Sequence, residues 1–302
     1  MLEFEELSQC KLCPRECGVD RLQGKKGYCK VDGQLIVARA GLHYWEEPCI
    51  SAQSGSGTVF FSGCNMGCVF CQNQKIASGK AGKYITTQRL TEIFLELQEK
   101  GAVNINLVTP THYIYQIKIA LKNAKAKGLH IPIVYNTSGY EKVESLKLLE
   151  GLIDIYLPDF KYYSSLVGKK YAKVNDYFEK ASLALEEMVK QVGSPVFSEA
   201  GIMQKGVIVR HLMLPGYLQD SKNIISYLYE TYGNRIYISI MNQYTPLQEQ
   251  IKGFPELNRK VSKISYKKLI NYASELGVEN GFIQQGETAL ESFIPNFNNE
   301  GV

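Results

Sequence analysis

The residues best able to do chemistry in this chain are its cysteines: Cys10, Cys13, Cys17, Cys29, Cys49, Cys64, Cys68 and Cys71, with none after position 71. Disulfide frameworks belong to small secreted domains, whereas a chain of 302 residues can bury a core without covalent staples. Thiols that stay reduced and crowd into one end of a large chain point to metal.

Three of them share one short run, Gly63-Cys64-Asn65-Met66-Gly67-Cys68-Val69-Phe70-Cys71. Three thiolates on one loop can each ligate an iron of a cubane [4Fe-4S] cluster, with the glycines letting the backbone curl around it. The fourth iron is then left without a protein ligand. An open position is a catalytic arrangement, because structural metal sites are closed by four ligands. The bland alternative, a structural zinc with a distant fourth ligand, lacks the paired Cys-x2-Cys knuckles of zinc ribbons.

Upstream, Cys10, Cys13, Cys17 and Cys29 give Cys-x2-Cys-x3-Cys-x11-Cys, with Gly18, Gly24 and Gly27 available for tight turns. Four thiolates suit a closed zinc site or a second [4Fe-4S] cluster, and the spacing does not choose between them. About thirty residues cannot offset their ordering entropy by burial alone, so this segment is expected to need its metal to fold. Cys49 belongs to neither group and reads as a buried inert thiol.

The elements that must hold these thiols alternate. Strands are expected at 58–62, 103–108, 131–135, 153–157, 207–213 and 236–241. Amphipathic helices lie between them: Leu90, Ile93, Phe94 and Leu97 share a face, with Thr87 as the expected N-cap, and Ile114, Ile117, Leu121 and Ala124 share another. Further helices are expected over about 142–150, ending near 192, following 221, and over 266–276. Six βα units predict an α/β fold, an incomplete (β/α)6 barrel over 57–302. Residues 1–56 read as a Cys-rich metal-binding appendage containing one strand at 34–40. A doubly wound open sheet is the rival, but no Gly-rich phosphate loop follows the first barrel strand. The three-cysteine loop follows it instead, at the end where barrels carry their sites.

Composition excludes more than it assigns. With 34 Lys plus Arg against 30 Asp plus Glu and a net charge of +4, no basic run marks a nucleic-acid or anionic-membrane partner. The N-terminus lacks an apolar signal region and no stretch of 18 residues is apolar, so a cytoplasmic location is expected.

The three-cysteine motif, with Phe70 before its last cysteine and six βα units behind it, resembles the radical S-adenosylmethionine superfamily from about Gly57 to Gln285. The resemblance implies a [4Fe-4S] cluster whose open iron chelates the amino and carboxylate groups of S-adenosylmethionine. One-electron reduction then cleaves a sulfonium carbon bond, and the 5′-deoxyadenosyl radical takes hydrogen from a substrate. The sequence is most similar to the glycyl-radical-enzyme activases of the pyruvate formate-lyase activating group. Within that group its Cys-rich start and Glu47-Pro48-Cys49-Ile50-Ser51 stretch resemble the PflX-type proteins.

The family's cofactor contacts carry over position by position. Phe70 matches the aromatic before the last cysteine. Where the activases have Gly-Gly-Glu-Pro, this chain has Thr109-Pro110-Thr111-His112; the carboxylate is gone and Thr109 offers a hydroxyl. Asn136-Thr137-Ser138-Gly139 is similar to their Asp-Thr-Asn-Gly, a resemblance that implies a ribose contact from Asn136 and counts Ser138 among the cofactor-binding residues. Asp159-Phe160-Lys161 matches Asp-x-Lys, and residues two apart on a strand share a face, so Asp159 and Lys161 are expected to clamp cofactor or substrate. Arg210 matches the family arginine before Leu214-Pro215-Gly216, while the family histidine near the last strand is replaced by Met241-Asn242-Gln243. His43 and His130 read as surface or packing residues.

The expected function is reductive cleavage of S-adenosylmethionine, with activation of a glycyl radical enzyme by hydrogen abstraction from a glycine as the first reading. A small-molecule or other peptide substrate is the second, and a non-catalytic iron-sulfur redox protein the third. The resemblance further implies an electron donor such as flavodoxin or ferredoxin, and the partner enzyme if the first reading holds.

Overall fold

Runs rich in Val, Ile, Leu and Tyr form one ten-stranded sheet in the computed structural model, which describes residues 4–247, 251–284 and 297–302. The strands are β1 (Leu35–His43), β2 (Ser56–Phe61), β3 (Lys83–Ile85), β4 (Ile105–Val108), β5 (Ile133–Thr137), β6 (Ile155–Pro158), β7 (Val196–Phe197), β8 (Met203–Leu212), β9 (Tyr237–Met241) and β10 (Gly281–Ile283). Between them lie α1 (Pro48–Ser51), α2 (Gln74–Ala77), α3 (Thr87–Glu99), α4 (Ile114–Ala126), α5 (Val143–Lys147), α6 (Ser165–Ala172), α7 (Tyr177–Val192), α8 (Leu218–Tyr232) and α9 (Lys263–Leu276). The order β10-β9-β8-β6-β5-β4-β2-β1-β3 is parallel from β2 to β10, while β1 and β3 add antiparallel strands beyond β2. This is the expected α/β partial barrel, with all six expected strands and a short seventh parallel one, β10.

Several boundaries differ from expectation. The cap of α3 is Thr86, whose hydroxyl accepts from the Arg89 amide at 3.0 Å, one residue before the Thr87 expected. The helix expected over 142–150 is only Val143–Lys147. The strand expected at 34–40 runs on to His43 and pairs along β2 from Val37↔Phe61 to His43↔Ser56, which makes it part of the barrel sheet.

The pleat sorts the strands into two faces. Ile133, Tyr135, Tyr156, Val207 and Val209 join the large core beneath the helices, while Val134, Ile155, Leu157 and Ile208 pack together on the other face with Cys49 and Ile50. The connection from β1 to β2 therefore fills the barrel interior from the N-terminal end of β2. That leaves the C-terminal ends of the parallel strands open for a site.

Candidate active site

The loop from β2 to α2 carries Cys64, Cys68 and Cys71 at the C-terminal end of β2. It enters through Gly63, φ +95°, where a Cβ would sit 2.7 Å from the Cys29 carbonyl oxygen. It turns again at Gly67, φ +78°, where a Cβ would meet the Tyr28 hydroxyl at 3.0 Å. Asn65, buried between these turns, donates from Nδ2 to the Tyr140 carbonyl at 2.7 Å, and its Oδ1 accepts from the Ser138 hydroxyl at 3.5 Å.

The thiols sit among donors. The Met66 amide lies 3.4 Å from Cys64 Sγ, and the Tyr162 hydroxyl 3.6 Å from Cys68 Sγ. Burial pushes the Cys64 thiol up to about 11 and the Cys71 thiol up to about 12. It also raises Cys68, against the pull of the Lys161 charge and the Tyr162 hydroxyl. Thiolates so costly to leave bare are suited to a metal that takes their charge, and amide and hydroxyl donors to sulfur are what an anionic cluster uses. Among the described residues no three His, Cys, Asp or Glu side chains converge as the ligands of a single ion would. A cubane, whose thiolates sit on separate irons, does not require that. The residues present fit a [4Fe-4S] cluster.

Around this loop stand the ends of the neighbouring strands. Asp159 and Lys161 follow β6, with Lys161 Nζ 2.5 Å from Asp159 Oδ2. Burial works against the Lys161 charge, but Asp159 and the Cys68 sulfur more than offset it, and its pKa is raised. The Tyr177 hydroxyl lies 2.8 Å from the Ser138 carbonyl, 2.9 Å from the Asp159 carbonyl and 2.9 Å from the Lys161 amide, tying the ends of β5 and β6 together. Asn136, half-buried near the end of β5, accepts at its carbonyl from the Thr109 amide at 2.9 Å. Thr109 has φ +59°, a left-handed conformation that a β-branched residue adopts only under constraint.

Phe70 is buried, its ring edge-on to Tyr171 and Tyr244 at 6.4 and 6.0 Å. Arg210 is held by Glu46 and Glu47: Nε lies 2.9 Å from Glu47 Oε1, and Nη2 contacts both carboxylates. Arg210 also holds the Glu47 carboxyl below its ordinary range although burial pushes it up. Glu46 in turn accepts from Asn106 Nδ2 at 3.0 Å. The neighbouring His211 points the other way, its ring between the Phe160 carbonyl and the Ser221 hydroxyl, 2.8 Å from each. His112 is buried with Nε2 2.7 Å from the Ser62 carbonyl.

Sequence reasoning missed Tyr162, Tyr177 and Asn65, whose residue types carry no motif and which matter only once the chain folds. It also missed Glu46 and Glu47 as partners of Arg210. Two adjacent acids entering a Pro-Cys-Ile turn in an apolar setting were the available signal.

The sequence profile of the radical SAM superfamily matches residues 58–228. The uncharacterized protein MJ0674 of Methanocaldococcus jannaschii is 28% identical over 280 residues, covering 89% of this chain and 75% of that protein. SuiB of Streptococcus suis, solved with its precursor peptide SuiA, has a similar fold, with a TM-score of 0.51 and 14% identity over 74% of this chain and 46% of SuiB. HydG, a maturase of the [FeFe]-hydrogenase, gives a TM-score of 0.51 and 19% identity over 74% of this chain and 50% of HydG. The chain thus spans about half the length of these solved structures, and the likeness to them is one of fold. Among the described residues no helix is long and apolar enough to cross a membrane.

Proposed function

The chain belongs to the radical SAM superfamily, and from that premise we propose that it cleaves S-adenosylmethionine reductively at a cluster held by Cys64, Cys68 and Cys71, as a cytoplasmic glycyl-radical-enzyme activase of the PflX type. The observation that carries the reading is the placement of the three thiols beside the Asp159–Lys161 pair at the open ends of the parallel strands. When bound, cluster and cofactor supply one-electron cleavage of the sulfonium and a carbon radical that takes a hydrogen atom from substrate.

The protein's own part is positioning. Asn65, Ser138 and Tyr177 fix the loop and the strand ends relative to one another. Lys161 offers a positive charge to a carboxylate at the mouth, while Asn136 and Thr109 offer neutral hydrogen bonds to ribose or amine groups. Phe70 closes the side of the site with its aromatic neighbours and keeps water out. A flavodoxin or ferredoxin would supply the electron.

A substrate other than a protein glycine is the second reading, and a specific departure favours it: the acidic contact of the activases is replaced by Thr109-Pro110-Thr111 and their histidine by Met241-Asn242-Gln243. SuiB, which shares the fold, has been solved with a precursor peptide, so a polypeptide substrate of another kind falls within this reading. The two separate on isotope transfer. Reduced enzyme is given cofactor and either the macromolecular or the small-molecule fraction of its own cells, grown on glycine deuterated at Cα. Deuterium passing to 5′-deoxyadenosine from the macromolecular fraction supports the activase, and transfer from the small-molecule fraction alone rejects it.

A further inference from the structure

Arg21 is 1% exposed. Its Nε and Nη2 donate to the Asp32 carbonyl at 3.1 and 2.6 Å, and its Nη1 to the His112 carbonyl at 2.8 Å, with Cys10 Sγ 3.7 Å away. None of the ion pairs among the described residues includes it. A guanidinium does not lose its proton, and a buried charge needs an opposite one. The group placed to supply it is sulfur, since the side-chain contact of the buried Nη1 is to Cys10 Sγ. The Cys17 and Cys29 sulfurs flank Gly27, where a Cβ would lie 2.9 and 3.6 Å from them. Neutral thiols would leave Arg21 uncompensated; thiolates bound to a metal would not.

We infer that Cys10, Cys13, Cys17 and Cys29 hold a second, thiolate-bound metal centre whose negative charge is balanced by Arg21, and that the shell of this centre braces the catalytic loop in its ligating shape. One [4Fe-4S] cluster with four thiolates carries the required net negative charge, and its thiolates sit on separate irons, so it does not need them to converge on one ion.

The bracing runs through residues interleaved with the two sets of thiols. The Cys64 amide donates to the Cys29 carbonyl at 3.2 Å. Tyr28, next to Cys29, donates from its hydroxyl to the Met66 carbonyl at 3.3 Å. Arg15, between Cys13 and Cys17, donates to the Asn65 and Met66 carbonyls at 2.9 and 3.0 Å and to the Lys173 carbonyl at 2.8 Å, with its guanidinium 3.7 Å from the centre of the Tyr28 ring. One planar cation thus joins the N-terminal loop, the catalytic loop and the end of α6.

Iron and zinc are counted on full-length protein reconstituted anaerobically, both wild type and the triple variant Cys64→Ala, Cys68→Ala, Cys71→Ala. The triple variant is expected to keep about four irons per chain, and the wild type to hold about four irons more. A wild type that saturates at about four irons, with or without zinc, overturns the second cluster, whether or not the variant folds. For the brace, Arg15→Gln and Arg15→Lys, neither of which can span the carbonyls as a planar fork does, are expected to release the catalytic iron to a chelator severalfold faster than wild type. Unchanged release from both overturns it.

Discussion

Lys161 and Asp159 leave the end of β6 two residues apart, and the Lys161 ammonium lies 2.5 Å from Asp159 Oδ2 while the Phe160 ring between them turns away into the core. The pair is partly shielded, with 17% and 26% of the two side chains exposed, and its charge reaches Cys68. A carboxylate arriving at the mouth would meet a cation already held in place.

Replacing that cation should therefore weaken cofactor binding. Lys161→Met is expected to cost about 1.5 to 3 kcal/mol, tenfold or more in Kd for S-adenosylmethionine. Calorimetry on the cluster-loaded protein reads it, and wild-type affinity would reduce the pair to an idle ion pair.

Asn136 offers a neutral contact, so its effect should be smaller. Asn136→Ala is expected to lower cofactor affinity severalfold, the equivalent of about 1 kcal/mol for one hydrogen bond. Unchanged affinity would assign Asn136 to the strand end alone.

Thr109 holds φ +59° immediately before Pro110. Strain of this kind costs on the order of 1 kcal/mol or more and persists where surroundings enforce it. Thr109→Gly is expected to raise the melting temperature of the anaerobic holoenzyme by roughly 2 °C and to weaken cofactor binding at the same time. A lower melting temperature would show that the conformation is not strained.

Glu141 is fully buried; its Oε1 accepts from the Thr111 hydroxyl at 2.6 Å and from Thr137, while its Oε2 has no partner among the described residues. Burial pushes its carboxyl up to about 7, against the hydroxyls of Thr111, Thr137 and Tyr135. A folded pKa above the unfolded value means stability that is complete below about 4.5 and lost as pH rises through about 7. The loss is on the order of 3 kcal/mol. Glu141→Gln should remove it, so the variant is expected to gain stability relative to wild type at pH 8 compared with pH 5. His112, lowered to about 3 by burial, shifts stability the other way at acid pH, but equally in both proteins. An unchanged difference between the two pH values would contradict the assignment.

How far the sequence carried the fold can be read from individual elements. The core strands and the faces of α3 and α4 follow from periodicity: Leu90, Ile93, Phe94 and Leu97 are buried, as are Ile114, Ile117, Leu121 and Ala124. β10 was not legible, since three residues are too short to show a period. The pairing of β1 with β2 escaped because a strand's partner is a long-range property, and its own alternation says only that it is a strand. In the site, the motif located the thiols and the i, i+2 rule placed Asp159 and Lys161 on one face. The second layer escaped for a different reason: Tyr177, Arg15 and Asn65 act through single contacts to backbone groups far away in the chain, which no local pattern encodes.

The central claim is that the three-thiol loop binds a cluster that cleaves the cofactor. Protein fully loaded with iron and chemically reduced is mixed anaerobically with S-adenosylmethionine alone, and products are quantified beside the triple Cys64, Cys68 and Cys71 alanine variant. The expected result is slow release of 5′-deoxyadenosine and methionine in equal amounts from the wild type and none from the variant. A loaded, reducible wild-type cluster that leaves S-adenosylmethionine intact would contradict the claim and favour a redox protein without catalysis.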